Sequence, residues 1–153
     1  MKRSKRAING NKIFGAALLL AVILVSGMTF MRILRNSSML HPGKILVTGY
    51  CNCGQCCGWK SSGGRAVYSY GPLKGQEKRV GITSRGTEAK HGTIAADLKF
   101  FRYGTKIRIP GYGEGVVEDV GGAIKGRHID IWFPTHQEAK EWGAKWLNIE
   151  VLN

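Results

Sequence analysis

Seven short runs of β-forming residues mark the second two thirds of the chain: Lys44–Tyr50, Val80–Thr83, Thr93–Ala96, Lys106–Ile109, Gly115–Glu118, Ile129–Phe133 and Leu147–Leu152. Most are rich in β-branched residues and bounded by Gly- or Pro-containing turns, so each predicts a strand, and together they predict a small β-barrel or sandwich. One segment follows a different rule. Thr135, with Glu138 three positions later, has capping-box spacing and predicts a helix over Gln137–Lys145. Trp142 and Trp146 would then share its packing face. Ser61–Gly64 with Tyr68–Gly75 reads as a long irregular loop. The chain has no internal repeat and no low-complexity tract.

The opening of the chain has another pattern. Ile13–Met31 carries no charge over 19 residues, enough to span the hydrocarbon core as a helix. Lys2, Arg3, Lys5, Arg6 and Lys12 precede it with no acid, which predicts a cytoplasmic N-terminus and an exported remainder. A signal peptide cleaved near Ser26-Gly27 is the alternative. The expected organisation is a basic tail at 1–12, a transmembrane anchor at 13–31, a linker at 32–43 and a single domain at 44–153, a normal size for one core.

Charge adds a statement about partners. The net charge is +13, and without the seven bases before residue 41 it is +6, from 16 bases and 10 acids. A moderately basic exported domain suits anionic cell-envelope polymers or lipid headgroups. Scattered bases on an exported chain argue against nucleic acid. Nothing singles out a protein partner.

Three acids stand where acids are disfavoured, beside β-forming runs. Asp97 follows Thr93–Ala96, Asp119 closes Val116-Val117-Glu118, and Asp130 lies between Ile129 and Ile131-Trp132-Phe133. The apolar neighbours of Asp130 predict a carboxyl kept protonated, fit to donate a proton. Asp119 stands beside Gly121-Gly122, where positive φ would allow close substrate approach and backbone N–H groups would hold a carboxylate.

All four cysteines fall inside Cys51-Asn52-Cys53-Gly54-Gln55-Cys56-Cys57. Export favours disulfides, joining Cys51 and Cys53 to Cys56 and Cys57 in one of two ways. A thiolate metal site and a redox pair at Cys53–Cys56 are the other readings, although the span lacks two separated CxxC pairs. His91, His128 and His136 do not have metal-site spacing. The expectation is therefore a structural cluster, with no metal and no cofactor.

The stretch Glu118-Asp119-Val120-Gly121-Gly122-Ala123-Ile124-Lys125-Gly126, followed by Arg127-His128-Ile129-Asp130, resembles the three-aspartate (3D) domain family and its relatives, the MltA-type membrane-bound lytic transglycosylases. The resemblance runs from about Gly81 to Leu152. It implies a six-stranded double-psi β-barrel, with Asp130 as catalytic acid and Asp119 and Asp97 as the other two family aspartates. Gly81-Ile82-Thr83 resembles the family's GIT element, which makes Thr83 a candidate site hydroxyl. Gly121, Gly122 and Lys125 would bind substrate, as would Arg127. Val120 departs from the Thr usual in relatives. The implied activity is cleavage of the MurNAc–GlcNAc bond of peptidoglycan with formation of 1,6-anhydro-MurNAc ends. A glycan hydrolase using Asp97 or Asp119 as base, and a non-catalytic expansin-like wall-binding module, are the rival readings.

Overall fold

The computed structural model describes residues 39–40 and 43–152. The expected span Ile13–Met31 lies outside them, and among the described residues no helix is long and apolar enough to cross a membrane. The strands are β1 (Met39–Leu40), β2 (Ile45–Tyr50), β3 (Trp59–Ser62), β4 (Arg65–Tyr68), β5 (Thr93–Ala96), β6 (Lys106–Ile109), β7 (Gly113–Asp119), β8 (His128–Trp132), β9 (Ala144–Leu147) and β10 (Glu150–Leu152). Two helices accompany them, α1 (Gly54–Cys57) and α2 (His136–Trp142).

Period-two alternation decides which side chains enter the core. On β8, Ile129 and Ile131 are fully buried while His128, Asp130 and Trp132 project to the other face. Val47 and Ile45 on β2, Ile94 on β5, Ile107 and Ile109 on β6, and Val117 on β7 complete an almost wholly aliphatic core. Trp142 of α2 joins it and donates its indole N–H to the Val47 carbonyl at 3.2 Å.

The strands pair in the order β1-β10-β6-β7-β5-β8-β2-β9, with β3 and β4 forming a separate hairpin. The mainly β class is as expected. Among the described residues the ladders make an eight-stranded mixed sheet. Two parallel pairs, β2 with β8 and β5 with β7, lie within it. Because β2 and β8 run side by side, the segments leaving their C-terminal ends emerge together.

Three local expectations change. Val80–Thr83 forms no strand and joins its surroundings through one isolated bridge, Ile82 with Glu88. In Ser61–Gly64, the two serines end β3 and Gly63-Gly64 is the turn of the β3–β4 hairpin, with φ of 57° and 78°. Two consecutive positive-φ residues make the tight turn whose twist suits a hairpin. The capping box forms as read, Glu138 N–H donating to Thr135 Oγ1 and the Glu138 carboxylate accepting from the Thr135 N–H. The helix stops early, however: Gly143 at φ 68° ends it, and Ala144–Leu147 pairs with β2 as a strand. Trp146 is consequently exposed instead of sharing a face with Trp142.

Candidate functional site

Strand pairing brings two of the three aspartates together. Ala95 on β5 is the register partner of Asp130 on β8 and, past a β-bulge, of Asp119 on β7. The carboxylates therefore flank a methyl side chain on neighbouring strands, each about 4.8 Å from the central one. Asp119, Ala95 and Asp130 line a cleft of about 720 Å³. The volume lies within the range of small-ligand sites.

Asp130 is half-buried, and burial pushes its carboxyl up to about 6, with the negative charge of Asp119 adding to the rise. The Thr48 hydroxyl donates to Asp130 Oδ1 at 2.8 Å and opposes that shift. The same hydroxyl lies 2.8 Å from His128 Nε2, so His128, Thr48 and Asp130 form a chain of hydrogen bonds across β2 and β8. The shelter of Asp130 does not come from its sequence neighbours, since Ile129 and Ile131 turn into the core. It comes from the adjoining strands.

Asp119 is held by three donors. Its Oδ1 accepts the backbone N–H of Ser84 at 2.8 Å and its own neighbour's, Val120, at 2.9 Å. The Tyr50 hydroxyl donates to Oδ2 at 3.3 Å. Burial and the Asp119 charge raise the Tyr50 hydroxyl's pKa, so it remains a donor throughout the physiological range. The backbone donors thus come from Ser84 and Val120, not from the Gly121-Gly122 amides.

Asp97 does not join the pair. It is half-buried, and its carboxylate accepts the N–H groups of Lys99 at 3.0 Å and Gly126 at 2.9 Å. Those bonds hold its carboxyl below the usual range. Asp97 ties the turn after β5 to the segment leading into β8.

The expected binding residues divide in the same way. Thr83 is buried beside the cleft with its hydroxyl 2.8 Å from that of Thr87. Gly121 and Gly122 line the cleft, but neither has positive φ. A Cβ at Gly121 would stand 2.6 Å from Ile124 Cγ1, whereas one at Gly122 would meet nothing within 4 Å. Gly121 thus serves the close turn, and Gly122 leaves open space. Lys125 is exposed, lies outside the cleft lining and helps to lower the Asp97 carboxyl. Arg127 donates to the Lys44 carbonyl at 3.2 Å.

Sequence reading missed Thr48, Tyr50 and Asn52. Asn52 Oδ1 accepts the indole N–H of Trp132 at 2.8 Å, and Asn52 lines the cleft with Tyr50. A polar residue on the same strand face as Val47's neighbours is the signal that could have found Thr48. What joins it to Asp130, 82 residues away, is the β2–β8 pairing, which has no spacing signal.

The disulfides expected among Cys51, Cys53, Cys56 and Cys57 are not formed; all four are free. Cys51 and Cys56 Sγ stand 3.8 Å apart, well beyond an S–S bond of about 2.05 Å.

Residues 92–153 match the family model described as 3D domain. Two proteins of Bacillus subtilis (strain 168) are 38% identical over 77 residues, 48% of this chain: the cell wall-binding protein YocH and YabE, named for a proposed cell wall shaping role. The match spans 27% of YocH and 19% of YabE. Among solved structures, MltA from E. coli matches at 24% identity and TM-score 0.39, over 47% of this chain and 27% of that one. E. coli MltA with bound chitohexaose matches at 22% identity and TM-score 0.41, over 51% and 29%.

Proposed function

We propose that this protein, with a 3D domain at 92–153, acts on peptidoglycan and cleaves its glycan strands as a lytic transglycosylase. The observation that carries the reading is Asp130: a carboxyl raised to about 6, inside a cleft, beside a second carboxylate. The names of the curated relatives, cell wall-binding and cell wall shaping, support the wall as the target.

Asp130 in its protonated form donates to the glycosidic oxygen as the bond to the anomeric carbon breaks. Positive charge developing on the sugar ring faces Asp119, whose carboxylate is fixed in advance by Ser84, Val120 and Tyr50. Such preorganised charge stabilises an oxocarbenium-like transition state without reorganisation. Asp130, now a carboxylate, then takes the proton of the sugar's own C6 hydroxyl as that oxygen attacks the anomeric carbon. The proton count closes, and the product is a 1,6-anhydro-muramyl end. Intramolecular attack has a high effective concentration, which removes the need for a protein nucleophile.

The Thr48 hydrogen bond keeps Asp130 oriented and restrains its rise, so the acid stays able to recover a proton as well as give one. The domain is exported in this reading, held at the outer membrane face by Ile13–Met31.

A second reading is favoured by the name of YocH: the same cleft binds glycan without cutting it. Incubating the purified exported domain with sacculi separates the two. Cleavage predicts solubilised muropeptides at a rate that falls as pH rises through about 6, where Asp130 loses its proton. Protein retained on sacculi with no released product at any pH would select the binding module and reject the transglycosylase.

A further inference from the structure

Three of the four cysteines converge on a histidine 80 or more residues away. His136 Nδ1 lies 3.4 Å from Cys56 Sγ, 3.5 Å from Cys53 Sγ and 4.0 Å from Cys51 Sγ. Cys51 and Cys56 Sγ are 3.8 Å apart, and all four atoms lie within 4.8 Å of one another. A tetrahedral zinc ion with Zn–S of about 2.3 Å and Zn–N of about 2.0 Å places its sulfurs about 3.8 Å apart and its sulfur–nitrogen pairs about 3.5 Å apart. The three sulfur–nitrogen separations and the Cys51–Cys56 separation match those edges to within about half an ångström.

We propose that Cys51, Cys53, Cys56 and His136 form a structural zinc site. Three thiolates and one imidazole fill a tetrahedron, which leaves no open position for water or substrate, so the ion is structural and not catalytic. Soft thiolate ligands in this geometry select zinc over harder divalent ions. The local backbone is already arranged for it. Cys53 N–H points to Cys51 Sγ at 3.5 Å and Cys56 N–H to Cys53 Sγ at 3.4 Å, the outer hydrogen bonds that steady thiolate ligands.

Cys57 is excluded. Its thiol donates to the Cys51 carbonyl at 3.2 Å and takes no part in the cluster. The fold explains the meeting: β2 and β8 are parallel neighbours, Tyr50 opposite Trp132, so Cys51 leaves the sheet beside the segment that leads to His136. The ion would join the loop after β2 to the first turn of α2. Cys56 and Cys57 also line the cleft, so the site fixes one of its walls. Ligand deprotonation makes the affinity fall with falling pH.

The site is independent of glycan cleavage and is tested without it. The full chain, purified under reducing conditions without chelator, should hold one zinc per molecule and lose thermal stability when a strong chelator removes it. Cys53→Ser and His136→Ala should lose the metal, whereas Cys57→Ser should retain it. Because ligand variants can fail to fold, His136→Cys provides the second arm. Its four thiolates should keep the metal, and with cobalt substituted for zinc the thiolate-to-metal absorption should strengthen over that of the parent. Metal-free protein with four reactive thiols, a Cys51–Cys56 disulfide in the purified chain, or zinc content unchanged in Cys53→Ser and His136→Ala would each overturn the proposal.

Discussion

Asp130 shows how a correct reading can rest on the wrong neighbours. Its acidity was legible as an acid inside an apolar run, yet the alternation of β8 sends Ile129 and Ile131 to the opposite face. Thr48 and Ala95, opposite it on adjoining strands, are the actual surroundings, and sequence does not announce cross-strand pairs 80 residues apart. The raised carboxyl has a cost that can be measured. Its folded-state value of about 6 lies above the ordinary 3.8, so the folded chain keeps a proton that the unfolded chain has shed. Stability therefore falls as pH rises from 3.8 to about 6 and stays lower above that window. Asp130→Asn should accordingly raise stability by about 1–3 kcal/mol at neutral pH, and the gain should vanish below about pH 4. Denaturant melts of both proteins at the two pH values check this. Thr48→Val removes the bond that restrains the carboxyl and should move the pH limb of activity upward. Asp97→Asn should lower the melting temperature while leaving turnover largely intact, because its carboxylate serves backbone N–H groups outside the cleft. Loss of turnover in a fully folded Asp97→Asn would return that residue to the site.

At the scale of elements, the aliphatic strands were legible because a β-branched run between turn residues leaves few alternatives. Thr93–Ala96 and Lys106–Ile109 coincide with their strands to the residue. The failures lie where glycine, not hydrophobicity, sets the outcome. Gly63-Gly64 makes a hairpin from what reads as loop, and Gly143 turns the last part of an apparent helix into β9. Gly49 is a third case: a Cβ there would come within 2.9 Å of Phe133 and 3.0 Å of the Ala139 carbonyl, where α2 lies on β2. Gly49→Ala should push the helix away and destabilise the fold by about 1–3 kcal/mol, as overpacking does. Thermal melts against Gly122→Ala, whose Cβ would meet open space, provide the control.

For the molecule as a whole, export is the expectation on which cell-wall function depends. A reporter fused after Asn153 should be active only outside the cytoplasm, with the protein in the membrane fraction. A soluble form beginning near residues 27–40 would favour the cleaved signal peptide. Long-range topology is what sequence could least supply: the parallel crossovers that set Asp119 beside Asp130 also set Cys51 beside His136, and neither meeting has a spacing signature. The family pattern supplied the first pair; nothing in the sequence supplied the second. The most direct test of the whole account is mass spectrometry of muropeptides released from purified sacculi by the wild-type domain and by Asp130→Asn. The account predicts 1,6-anhydro-muramyl products from the wild type and none from a folded, sacculus-binding Asp130→Asn. Reducing ends from the wild type, or anhydro products undiminished in Asp130→Asn, would contradict it.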